Sequence, residues 1–97
     1  MEIVLLIETK NYQKVKDALL KDDITSRASI TFKEAKGYGG KEGYYSIISG
    51  LDEQCKRAME LAKDLAKEVS GKEKEDLISK IKDEEEKANQ AFGGIFG

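Results

Sequence analysis

The chain has 97 residues, 39% hydrophobic and 37% charged, with a formal net charge of -2. That length supports one domain with a modest core, and the near balance of basic and acidic side chains excludes a global basic field, so any basic face must come from local segregation. The chain has no histidine, tryptophan or proline, which excludes histidine-based acid–base catalysis and histidine-activated nucleophiles.

The single cysteine, Cys55, cannot form an internal disulfide, so a reducing cytoplasm is the expected compartment. The excess of Lys and Glu matches the composition of hyperthermophile proteins. The longest apolar run, residues 3–7, is too short to cross a membrane, and no charged-then-apolar leader precedes it; neither a membrane anchor nor a signal peptide is expected.

Residues 3–8, IVLLIE, are a nearly continuous apolar run and predict a buried strand. Asn11 is a helix cap candidate, and Tyr12, Val15 and Leu19 share one helical face with Ala18 beside them. Lys21-Asp22-Asp23 ends this helix; the adjacent acids read as a solvated turn rather than a metal site.

Residues 24–50 predict a hairpin. Ile24, Ser26, Ala28, Ile30 and Phe32 alternate with Thr25, Arg27, Ser29, Thr31 and Lys33, the period of a half-buried strand. Residues 43–49 form the second strand, with Tyr45 and Ile47 on one face and Tyr44, Ser46 and Ile48 on the other. Both faces are fairly apolar, which predicts a central strand or one with a covered outer face. The connection Lys36-Gly37-Tyr38-Gly39-Gly40-Lys41-Glu42 is not a phosphate cradle. Ala35 stands where a P-loop needs its first glycine, and Glu42 stands where Ser or Thr would bind magnesium. A dinucleotide fingerprint beginning at Gly37 likewise meets Glu42 at its last glycine, and no helix N-terminus follows to receive a phosphate.

Lys36-Gly37-Tyr38-Gly39 resembles the opening of the RNP1 motif of RNA-recognition domains, although Gly40-Lys41-Glu42-Gly43 lacks the motif's later aromatic and apolar positions. Gly43-Tyr44-Tyr45-Ser46-Ile47-Ile48 is a looser second likeness. The resemblance implies an RNA partner, with Tyr38, Tyr44 or Tyr45 stacking on bases and Arg27, Lys33, Lys36 and Lys41 holding phosphates.

Asp52 is a further cap candidate, followed by acidic Glu53. Cys55, Ala58, Met59, Ala62, Leu65, Ala66 and Val69 recur at three and four residues and predict one amphipathic helix reaching Ser70-Gly71. Cys55 lies on its apolar face as a small core residue. Residues 72–92 predict a highly charged helix with a thin stripe of Leu77, Ile78, Ile81, Ala88 and Phe92. The run Asp83-Glu84-Glu85-Glu86 reads as a solvated face, because it lacks the oxygen-rich loop of an EF-hand. Residues 93–97 form an apolar tail carrying Ile95 and Phe96.

The predicted order of strand, helix, strand, strand, helix, helix and tail resembles the first five elements of a ferredoxin-like βαββαβ sandwich. The expected fold is therefore α+β: an open βαββα sandwich with an antiparallel sheet and helices on one face. A compact domain spans residues 1–71, and residues 72–97 pack on it or on a partner copy. With no fourth strand expected, residues 3–8 are an open edge, and Val4, Leu6, Ile95 and Phe96 form a candidate assembly surface. The βαββα order across residues 3–69 is also similar in outline to the small dimerising subunit of the KEOPS tRNA-modification complex, which implies a dimer with large partners. No catalytic, cofactor or metal motif is found. The expected function is that of a cytoplasmic, non-catalytic, homodimeric interaction module with a possible protein partner. Its recognition surface would be the outer sheet face and the 36–43 loop, and RNA binding is the alternative.

Overall fold

In a computed structural model, which describes residues 1–39 and 42–96 and side chains as far as residue 87, the apolar run at the start becomes β1, Glu2–Ile7. α1 (Tyr12–Lys21), β2 (Ser29–Glu34), β3 (Tyr44–Ser49), α2 (Asp52–Ala62), β4 (Ala66–Val69) and α3 (Gly71–Phe96) follow. The strands form one sheet in the order β2-β3-β1-β4, and every neighbouring pair is antiparallel. The protein is thus α+β with a four-stranded antiparallel sheet and three helices.

The nearly unbroken hydrophobicity of β1 follows from burial on both of its faces. Ile3, Leu5 and Ile7 join Val15 and Leu19 of α1, Ile48 of β3, and Cys55, Ala58 and Ala62 of α2 in one cluster. Val4, on the opposite face, joins Tyr45, Ile47 and Val69 with Leu77 and Ile81 of α3. The molecule therefore has three layers, α1 and α2 on one side of the sheet and α3 on the other. This corrects the expectation of helices on one face only. It also draws the start of the charged helix into the core of residues 1–71: Leu77 is 4% and Ile81 6% exposed, and burying each contributes about 1.5–3 kcal/mol.

The second correction concerns the edge of the sheet. The helix expected to run to Ser70 stops at Ala62, and after a turn residues 66–69 extend beside β1, pairing Val4 with Val69 and Ile7 with Ala66. Ala, Lys and Glu are good helix formers, but β1 carries a row of N–H and C=O groups that need partners once buried, and meeting that need outweighs local propensity. β1 is therefore an interior strand, and the edge imagined for the tail is filled by β4.

Smaller differences have local causes. Residues 25–27 form a 3-10 turn, so β2 begins at Ser29 rather than near Ile24. The cause is Asp22, whose Oδ2 accepts the backbone N–H of Ile24 and of Thr25, both at 3.1 Å, a local side-chain bond that competes with extended structure. Asn11 sits at the cap position of α1, but its side chain donates to the carbonyl of Leu65 at 3.4 Å instead of capping. Leu51, not Asp52, is the cap residue of α2, and its N–H donates to Gln54 Oε1 at 2.9 Å. The helix α3 runs on through the residues expected to be a tail, as far as Phe96. Residues 82–87 of α3 are all exposed.

Candidate interaction surfaces

The residues expected to form one recognition surface are divided between places. Tyr45 points to the α3 side of β3, where it is 4% exposed. Its hydroxyl lies 3.5 Å from Glu73 Oε1 of α3, at the outer limit of a hydrogen bond. Burial first, then the nearby Glu73, raises its pKa. Tyr44 points the other way and stacks on Tyr12 of α1, with ring centroids 3.7 Å apart and planes 15° apart. Phe32 completes this aromatic group, meeting Tyr12 edge-on at 5.6 Å and 85°. Tyr38 is half-buried, and its hydroxyl donates to Glu84 Oε2 at 2.6 Å. Burial, the bond to Glu84 and that residue's charge push the Tyr38 pKa up to about 12.

The three tyrosines thus have three different neighbours within the chain, and α3 lies over the sheet face on which Tyr45 was expected to be open. Among the cations, Arg27 is exposed on the turn before β2, and Lys33 is half-buried on the α3 side of β2. Lys36 is exposed in a 3-10 turn, in a shallow pocket with Glu34, Glu42 and Tyr44. That pocket is not a basic patch, because its carboxylates oppose its single lysine. Lys41 lies outside the described residues.

Of the candidate assembly residues, Val4 is fully buried under α3 and Leu6 is half-buried. Ile95 and Phe96 belong to α3, and their side chains lie outside the described set.

Cys55 is fully buried. Its thiol lies 3.6 Å from the carbonyl of Met1 and 3.8 Å from that of Ile48, and burial raises its pKa. Such a thiol is protonated and shielded, the opposite of an activated nucleophile. Among the described residues, no group of three or more His, Cys, Asp or Glu side chains is placed to hold a metal ion, and no helix is long and apolar enough to cross a membrane.

Asp22 has a role its sequence context did not suggest. Besides its two backbone bonds, its Oδ1 accepts from Arg57 of α2 through Nε and Nη2, both at 3.2 Å. The backbone bond from Thr25 foremost, and then Arg57 and the N–H of Ile24, hold its carboxyl below the ordinary carboxylate range. It ties the end of α1, the turn before β2, and α2 together. A shallow cleft lined by Asp22, Asp23, Ile24, Lys56, Arg57 and Glu60 opens at this point. Within it Arg57 pairs with both Asp22 and Glu60.

Two further features bear on association. One is a groove between β2 and α3, lined by Ser29, Thr31, Ile47, Ile78, Lys82 and Glu85 among others. The other is the outer edge of β2, which among the described residues pairs only with β3. The alternation of residues 29–34 was legible in the sequence, but its position at the edge follows from the strand order alone. No family model, no curated protein and no solved structure matches this chain.

Proposed function

We propose that this protein is a small non-catalytic binding module that associates with a second copy of itself. The observation that carries the reading is the six-residue open strand β2, in a sheet whose two faces already bear helices. A sheet covered on both faces can extend only at an edge, and β2 is the longer of its two edge strands. We also infer that β1 to β4 with α1 and α2 form a ferredoxin-like βαββαβ unit. Its support is the order β4-β1-β3-β2, in which each neighbour runs antiparallel. The dimerising-subunit likeness agrees with self-association, and in this chain β4 and α3 follow the shared βαββα order. A cytoplasmic site of action fits the buried free thiol.

Binding of RNA on the sheet would require α3 to leave the face it covers, so this is the less supported reading. One experiment separates the two: solution mass by light scattering on nuclease-treated protein, with an absorbance spectrum recorded before treatment. The expected result is a dimer free of nucleic acid. A monomer at every concentration overturns self-association, and a nucleic-acid absorbance band before treatment, with binding that weakens steeply as salt rises, favours the RNA reading.

A further inference from the structure

We propose that two copies join through their β2 strands, antiparallel, about a two-fold axis at Thr31, making one continuous sheet across the dimer. This rests on the self-association reading and specifies the surface that performs it.

The two edges of the sheet are not equivalent. β4 has four residues, and its central Lys67 and Glu68 are exposed and charged, the kind of short, charged edge that resists pairing. β2 has six residues in unbroken register with β3 from Ser29↔Ser49 to Glu34↔Tyr44, and its only charges are Lys33 and Glu34 at one end. No proline or bulge interrupts it.

The direction of its free backbone groups can be worked out. The N–H of Ala35 donates to the carbonyl of Gly43 at 2.9 Å, in the same register that pairs Glu34 with Tyr44. Hydrogen-bonded and non-hydrogen-bonded pairs alternate along an antiparallel ladder. Residues 29, 31 and 33 therefore direct their N–H and C=O groups at β3, and residues 30, 32 and 34 direct theirs outward.

An antiparallel partner related by a two-fold axis normal to the sheet must keep each side chain on its own face, so the axis must pass through a residue. With the axis at Thr31, Thr31 meets Thr31, and Ile30 meets Phe32 on both sides of it. Ser29 then meets Lys33, and Ala28 meets Glu34. The outward groups of Ile30 and Phe32 face each other as hydrogen-bonded pairs. Threonine–threonine and aromatic–β-branched pairs are among the favourable cross-strand combinations. The other axes are worse. An axis at Ile30 leaves only residues 29–31 of the strand paired, one at Phe32 sets Ile30 against Glu34, and one at Lys33 sets that lysine against itself. Pairing length, charge and hydrophobic matching thus select one register, and a copy of the same strand satisfies it. The half-buried ring of Phe32, held edge-on against Tyr12, would be covered by the pairing.

The test uses the full chain. In a Cys55→Ala background, Thr31→Cys places two thiols across a non-hydrogen-bonded pair. There the Cα atoms lie about 4.5 Å apart, inside the range that a disulfide spans, about 4.4–6.8 Å. Mild oxidation should give a covalent dimer with Thr31→Cys and at least about ten-fold less with Ser29→Cys, whose counterpart is Lys33. Separately, Thr31→Lys sets two ammonium groups against each other and should weaken the dimer by about 100-fold or more while leaving the circular dichroism spectrum unchanged. A wild-type dimer that Thr31→Lys does not weaken, and that Thr31→Cys does not cross-link, overturns this surface and leaves self-association standing. A wild-type protein that is monomeric throughout overturns self-association, and the β2 interface with it.

Discussion

Replacing Gly43 by alanine should be among the most destabilising single changes in this chain. Gly43 precedes β3 with φ +114°, a conformation that costs an L-residue about 1–3 kcal/mol. A Cβ there would also lie 2.5 Å from the carbonyl oxygen of Ile7 and 3.7 Å from Cα of Glu8. Both contacts are backbone, at the last residue of β1 and the one after it, so no side chain can swing aside. Relieving an overpacked contact adds about 1–3 kcal/mol, for a total of about 2–6 kcal/mol against the 5–15 kcal/mol typical of a domain. For a chain of this size each kcal/mol lowers the melting temperature by about 4–8 °C. Urea unfolding followed by far-ultraviolet circular dichroism would measure the loss. Gly37→Ala is the control, because a Cβ at that position meets nothing within 4 Å. If Gly43→Ala and Gly37→Ala both fall within about 0.5 kcal/mol of wild type, the reasoning about the approach of β3 to the end of β1 is wrong.

Ser46 is fully buried and its Oγ has no hydrogen-bond partner among the described residues. Ser46→Ala should therefore leave stability unchanged or raise it by up to about 1 kcal/mol in the same unfolding assay, and a clear loss would reveal a hidden partner. Ile81→Ala should cost about 2–4 kcal/mol because α3 packs on the sheet, whereas exposed Lys80→Ala should change stability by less than about 0.5 kcal/mol; equal effects would mean that the helix does not contribute to the core. Asp22 titrates lower in the folded chain than in the unfolded one, so its contribution is complete above the ordinary carboxylate pKa and is lost as pH falls through the folded value. Asp22→Asn should accordingly flatten the acid limb of the stability–pH curve relative to wild type, and an unchanged limb would count against the Asp22 hub.

Much of the architecture was legible because short-range patterns report it directly. The apolar run of β1 announced a buried strand, although its interior position in the sheet did not follow from it. The apolar character of both faces of residues 44–48 pointed to a central strand or one with a covered outer face, and β3 lies between β2 and β1 with helices over each face. The stripe of Leu77, Ile78 and Ile81 marked the face that α3 applies to the sheet. The candidate sites were less legible. Which of Tyr44 and Tyr45 would be free depended on where α3 docks, and α3 begins more than twenty residues further along the chain. Tyr38 looked like an open loop aromatic until the fold brought Glu84 to its hydroxyl.

The clearest division lies at residues 66–69. Alternation and helical spacing are properties of neighbours in sequence, so the residues alone determined β1, β3, α1 and the first turns of α2 and α3. Ala66-Lys67-Glu68-Val69 continues a helical stripe and contains nothing that demands a strand. Its extension is decided by β1, whose buried backbone groups lack partners on that side until residues 66–69 arrive. That pairing makes β4 one edge of the sheet and leaves β2 as the other. The physical reason is that hydrogen-bond satisfaction in a sheet is non-local, and no window of sequence around β4 or β2 contains it.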